Sequence, residues 1–273
     1  MNRFDPEVRT YRVRTPDAQI EYYVQGNGPP LLILPSLGRG AADYDELAKL
    51  LAGRGLQVIR PQPRGIGGST GPMAGLSMRD LAADVAEVIR DRVGGPAAVA
   101  GHAFGNFVAR MLANAFPDTV RAVALVAASA GRLPGGGSPY DPEVHASIYA
   151  SGDLSLPVDE RIAHLKRAFF AFGNDPSSWL DGWYPSTKAM QKEAQATTSI
   201  DEYFDCGTVP VFDLQAADDM VAPRRHAHVL REALGARVTV QVIERAGHAL
   251  IPEQPQAVCD ALTAWMRSLE PMP

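Results

Sequence analysis

Short apolar runs alternate along the chain with longer stretches whose apolar residues recur every three or four positions. That alternation predicts parallel strands joined by crossover helices. Residues 8–24 read as two strands around the turn Thr15-Pro16-Asp17. The buried run Leu31-Leu32-Ile33-Leu34 follows, then a helix over 41–52 and a strand over 57–60, ended by Pro61 and Pro63. Ser77, with Asp80 three residues on, forms a capping box. Met78, Leu81, Val85, Val88 and Ile89 set the apolar face of the helix it opens. Further strands are expected over 97–100, 122–126, 209–214 and 238–243, with a helix over 104–116 directly after the first of them. A last helix runs from Pro255, a favourable first-turn residue, to Leu269.

Between Ala130 and Cys206 this alternation stops. Gly135-Gly136-Gly137 lies near the start of the segment, a helical pattern covers 158–172, and aromatic residues gather at Phe169, Phe170, Phe172, Trp179, Trp183 and Tyr184. The pattern predicts a helical cap, residues 131–206, inserted into a core built from 1–130 and 207–273. The aromatics either fix cap to core or line a pocket, and a cap needs both. Trp179, Trp183 and Tyr184 are the candidates for contact with a small molecule. The expected architecture is α/β: a mostly parallel sheet of about eight strands, flanked by helices, with the cap inserted.

Composition narrows the function classes. The 273 residues are 46% hydrophobic and 21% charged, as in ordinary globular proteins. A chain of this size buries a core without help from a disulfide or metal. A net charge of −5 speaks against nucleic-acid binding. Cys206 and Cys259 stand far apart and form no CxxC pair, so a reducing cytoplasm is the simple reading. Residues 1–6 lack the apolar stretch of a signal peptide, and no apolar run approaches the roughly 18 residues of a membrane span. A cytoplasmic protein acting on a small molecule, without membrane contact, is expected; a homodimer is compatible with all of this.

The candidate chemistry begins at Gly101-His102-Ala103-Phe104-Gly105, between a strand and a helix. A sharp turn there exposes its central residue at a helix N-terminus, where free N–H groups and the helix dipole favour a developing oxyanion. Ala246-Gly247-His248 follows the last strand. Asp218-Asp219 follows the strand before it, with Asp219 four residues ahead of Pro223. Leu34-Pro35-Ser36-Leu37-Gly38-Arg39-Gly40 follows the third strand. In the order elbow, acid, histidine, these loops resemble the α/β-hydrolase superfamily, whose elbow reads G-x-S-x-G.

The resemblance covers nearly the whole chain, from about Tyr11 to Met266. It implies Ala103 at the nucleophile position, His248 as base and Asp219 as the acid that orients it, with Asp218 as the alternative acid or a helix cap. The N–H groups of Leu37 and Phe104 would form the oxyanion hole. Arg39 either meets an anionic group of the substrate or is solvated. Pro35-Ser36 stands where many relatives have His-Gly, and Asn106 where glycine is commoner. Arg64-Gly65-Ile66-Gly67-Gly68-Ser69 resembles the family's loop after the fourth strand and is not a phosphate cradle. No cofactor motif appears, and none is expected. His226-Ala227-His228 diverge on a predicted helix, so no metal site is read.

Ala103 has no oxygen, so no acyl-enzyme can form. Either a serine has been replaced by alanine in an otherwise complete site, or the alanine is native. The first implies a serine hydrolase of a small, largely apolar ester, lactone or C–C bond substrate. The second opens two readings: a hydrolase or lyase in which His248 and Asp219 act on water or a substrate proton, or a receptor without catalysis.

Overall fold

The computed structural model describes residues 8–133, 136 and 141–269. Eight strands form one sheet: β1 (Arg9–Arg14), β2 (Gln19–Gln25), β3 (Pro30–Leu34), β4 (Gln57–Pro61), β5 (Ala97–His102), β6 (Val120–Val126), β7 (Val211–Ala216) and β8 (Val238–Ile243). Their order is β1-β2-β4-β3-β5-β6-β7-β8. The pairs β1/β2 and β2/β4 are antiparallel and the others parallel.

The helices are α1 (Asp45–Gly53), α2 (Met78–Arg92), α3 (Phe104–Ala115), α4 (Pro142–Ala150), α5 (Val158–Ala168), α6 (Pro185–Ala196), α7 (His228–Leu234), α8 (Leu250–Glu253) and α9 (Pro255–Ser268). Successive strand residues point to opposite faces of a sheet, and here both faces are covered. Leu32, Val99 and Val123 pack with Met78 and Val85 of α2 and Leu112 of α3 on one side. Leu31, Ile33, Ala98 and Ala100 pack with Leu47 and Leu51 of α1 and Leu262 and Trp265 of α9 on the other. Every residue of β5 is buried, as a central parallel strand requires.

Several element ends differ from the sequence reading. The helix expected over 41–52 begins as a 3-10 turn, Ala41–Tyr44, before α1. β7 starts at Val211, because Pro210 has no N–H to give the ladder; its carbonyl still accepts from Val123 at 3.0 Å. The Ser77/Asp80 capping box is formed, with the Ser77 N–H donating to Asp80 Oδ2 at 2.8 Å.

Between β6 and β7 the chain contributes no strand among the described residues; α4, α5 and α6 lie there instead. Gly135 and Gly137 fall outside the described residues. The pattern expected over 158–172 ends at Ala168, and Phe172 is fully exposed. The inserted helices have a core of their own, in which Val144, Leu165, Phe169, Phe170, Trp179 and Trp183 meet Val221 and Ala249. Those last two residues flank Asp219 and His248 in sequence, so the insert is seated on the two loops that carry them. No helix among the described residues is long and apolar enough to cross a membrane.

Candidate active site

β5 runs two residues past its predicted end and delivers the chain to Ala103 at φ 50° and ψ −112°. Non-glycine residues rarely adopt positive φ, and such strain costs about 1–3 kcal/mol where the surroundings impose it. The surroundings here are two backbone crossings. A Cβ on Gly101 would lie 2.3 Å from the Gly105 carbonyl oxygen, and one on Gly105 would lie 2.4 Å from that of Leu34. The Ala103 N–H donates to the Val126 carbonyl at 3.0 Å, which pins the turn to β6. Asn106 adds a side-chain bond to the Ala103 carbonyl and accepts from the buried Arg110 at 3.4 Å. A glycine at 106 would have neither bond.

His248 and Asp219 are each 4% exposed. His248 Nδ1 lies 2.9 Å from Asp219 Oδ2 and 3.1 Å from Oδ1. The carboxylate is fixed from behind, since Oδ1 also accepts the N–H groups of Val221 at 2.8 Å and Ala222 at 2.7 Å. This Asx turn just ahead of Pro223 is why the acid stands four residues before that proline. Asp218 is exposed, and its N–H is bound to the Ala246 carbonyl. Asp219 thus makes the contact with the imidazole and Asp218 does not. With Nδ1–H given to Asp219, Nε2 is left without a hydrogen-bond partner among the described residues.

A cavity of about 360 Å³ opens over these groups. Ala103, Leu37, Phe104 and His248 all line it, so the elbow residue, the histidine and the two residues whose amides the sequence nominates for an oxyanion share one space. Neither the Leu37 nor the Phe104 N–H has a hydrogen-bond partner among the described residues. Phe107, Ile148, Phe169 and Val221 give it apolar walls.

The remaining sequence candidates separate. Trp183 lines the cavity. Trp179 does not; it is buried in the core of the insert. Tyr184 is 38% exposed and also outside the lining. Arg39 is neither solvated nor in the cavity. It is fully buried, with Nε 2.5 Å from Asp43 Oδ2 and its guanidinium over the rings of Trp179 at 4.8 Å and Trp183 at 4.5 Å. A cation that buried needs its partners supplied by the protein, and these contacts use it as a clamp between the β3 loop and the insert.

Sequence reasoning passed over three groups. His102 is fully buried. Its Nε2–H donates to the His248 carbonyl at 2.8 Å, while Nδ1 accepts from the Tyr44 hydroxyl at 2.9 Å. Tyr44 Oη in turn accepts the Ser36 N–H at 2.9 Å. Burial, and then the neighbouring His248, push the His102 pKa down to about 3. The ring is therefore a neutral strut joining, through Tyr44, the loop after β3 to the histidine loop. Glu253 ties the histidine loop to the insert: Oε2 accepts from Gly247 N at 2.7 Å, and Oε1 from Ala171 N and Asn174 Nδ2 at 2.7 Å each. Lys188 and Lys192 of α6 line the cavity. Their i, i+4 spacing, continued by Gln195, was the signal available in the sequence.

Residues 31–261 match the Alpha/beta hydrolase family, and the chain belongs to that family. Among its relatives is a candidate carbamate hydrolase of Azorhizobium caulinodans, 34% identical over 110 residues, 40% of this chain and 41% of that protein. Among solved structures, an esterase from Exiguobacterium antarcticum superposes with a TM-score of 0.75 at 20% identity, over 92% of this chain and 96% of that one. A serine-to-alanine mutant of a meta-cleavage product hydrolase from Pseudomonas fluorescens, complexed with acetates, gives 0.73 at 19% identity, over 93% and 96%. These two structural likenesses are of fold.

Proposed function

We propose that the inserted helices cap an active site in which His248, oriented by Asp219, activates water against the carbonyl carbon of a small acyl substrate. The observation that carries this reading is the 2.9 Å contact of His248 Nδ1 with a buried, triply bonded Asp219, beside an elbow residue that has no hydroxyl. A binding protein gains nothing from a buried carboxylate set behind an imidazole. For a base the arrangement fixes the tautomer and stabilises the imidazolium when it forms.

This arrangement supports a direct hydrolytic step. Water adds through its oxygen to the carbonyl carbon, and its proton passes to His248 Nε2. The carbonyl oxygen takes the negative charge, facing the N–H groups of Leu37 and Phe104. Collapse expels the leaving oxygen, which takes the proton back from His248. No acyl-enzyme intervenes.

A second reading is favoured by the backbone of Ala103. The left-handed turn that displays a nucleophile is kept although nothing is displayed, which fits a serine enzyme carrying alanine at this position. Turnover of 4-nitrophenyl acetate by this chain separates the two, since a serine enzyme stripped of its hydroxyl gives almost none. Direct water attack gives turnover without a burst, abolished in His248→Ala and sharply reduced in Asp219→Asn. Turnover indifferent to His248, or none on any of a panel of small esters and lactones, would overturn the proposal.

A further inference from the structure

Helix α6 presents two faces. Thr187, Met190, Gln191 and Ala194 are buried toward the core. Thr187 Oγ1 donates to the Arg64 carbonyl at 2.9 Å, and Gln191 Oε1 accepts from Gly38 N at 2.7 Å. On the other face Lys188, Lys192 and Gln195 point to the cavity that His248 lines. Lys188 Nζ lies 3.4 Å from the carbonyl oxygens of Ile148 and Tyr149, 4.9 Å from the Tyr149 ring centre and 5.7 Å from that of Trp183. Lys192 Nζ is 5.5 Å from the Tyr149 ring centre.

Among the described residues neither ammonium has a carboxylate within ion-pair distance. Asp153, whose charge is felt at Lys188, has its carboxylate engaged by the Ser155 N–H at 3.0 Å and hydroxyl at 2.6 Å. The sequence over 134–140 holds no charged residue. Burial and the charge of Lys192 both push the Lys188 pKa down, as expected of like charges sharing a wall. Two half-buried cations without an ion-pair partner among the described residues, on one wall of a cavity lined largely by apolar and neutral polar groups, in a chain of net charge −5, are not a consequence of composition.

We propose that Lys188 and Lys192 form a carboxylate subsite, so that the substrate is a small acyl compound bearing a carboxylate on an apolar stem. The proposal rests on the cavity being the site of carbonyl hydrolysis. The apolar walls accept the stem, the Leu37 and Phe104 amides take the carbonyl oxygen, and the lysines take the far anion. A carboxylate there relieves the repulsion between the two ammonium groups and gains charge-assisted bonds in a partly dehydrated setting.

The test compares the monomethyl esters of succinate, glutarate and adipate with their neutral dimethyl esters. Binding is read by calorimetric titration of the His248→Ala variant, in which hydrolysis cannot consume the probe. At least one monoester is expected to bind about tenfold tighter than its diester. Lys188→Gln and Lys192→Gln should each remove part of that preference and the double variant nearly all of it, while Lys192→Arg retains it. The single variants keep the test valid if the double variant folds poorly. Equal binding of monoester and diester throughout the series, or a preference that survives both glutamine variants, would overturn the subsite. Hydrolysis is measured separately on the chain with His248 intact. Carboxylate preference in binding without hydrolysis sustains the subsite and defeats the hydrolytic reading. Hydrolysis without carboxylate preference does the reverse.

Discussion

The floor and the roof of the cavity are built on opposite terms. The floor comes from loops at the strand ends of the core. Ala103 is locked by two backbone crossings, Asp219 by two amides and an imidazole, and His102 by bonds at both ring nitrogens. The roof comes from the insert, where Lys188 and Lys192 sit half-buried with aromatic rings beside them and, among the described residues, no carboxylate within ion-pair distance. On the proposed reading the floor groups position the reaction, and they are over-determined because a small displacement there is expensive in rate. The two lysines proposed to recognise a ligand have backbone carbonyls and rings as partners but no carboxylate within ion-pair distance among the described residues, which leaves their charge for a ligand to meet.

The largest effect that sharpens this comparison is expected at the floor. Ala103→Ser should raise the initial rate on 4-nitrophenyl acetate by about 10³-fold, roughly 4 kcal/mol of barrier, and introduce a burst. The elbow already holds the backbone a serine needs. Adding His248→Ala should erase the gain, and an inert serine variant would show that the floor is not catalytically poised. Next is Gly105→Ala, where the new Cβ would meet the Leu34 carbonyl at 2.4 Å. A loss of about 3 kcal/mol is expected in urea unfolding, against almost none for Gly95→Ala, whose Cβ would meet nothing within 4 Å.

A buried acid of the core gives a smaller effect with a definite pH signature. Asp213 on β7 is buried with Oδ1 unpartnered, and burial pushes its pKa up to about 6. The folded state then holds a proton that the unfolded chain, with a pKa of about 3.9, has lost. The wild-type chain is therefore relatively most stable below about pH 4 and loses that advantage as pH rises through 6. Asp213→Asn, which keeps an acceptor for Gln215, should gain on the order of 2 kcal/mol over wild type at pH 8. That gain should shrink toward zero near pH 4 in parallel denaturant titrations; a pH-independent difference would refute the assignment. The smallest effect is expected at the joint between floor and roof. Glu253→Gln keeps one carbonyl oxygen of its two acceptors and should lose about 1 kcal/mol. Its signature is faster hydrogen exchange at one of the two amides, Gly247 or Ala171, whichever faces the new amide nitrogen, with the other unchanged.

The same contrast explains what the sequence disclosed. The strand–helix alternation gives the sheet because its central strands are buried on both faces and read as apolar runs. The elbow, the Asp219 loop and the His248 loop are visible because backbone demands leave glycine, aspartate and proline at fixed spacings. The lysines of α6 were hidden because a charged residue at helical spacing looks like a solvated face until a cavity is known to lie against it. Arg39 misled for the converse reason. A loop arginine beside an oxyanion strand reads as a ligand contact or as solvated, and only the fold brings two indoles and Asp43 around it. His102 acts on the His248 carbonyl and Glu253 on the Ala171 amide, both far away in sequence, and no local pattern announces such bonds.

The left-handed backbone at residue 103 also bears on how this chain can change over generations. The turn is imposed by its neighbours and not by its own side chain, so exchanging a methyl for a hydroxymethyl group asks nothing new of the fold. Alanine and serine codons of the type GCN and UCN differ by one base. If the proposed site is the catalytic one, a nucleophile at this position is separated from its absence by a single point mutation, a short step for selection in either direction.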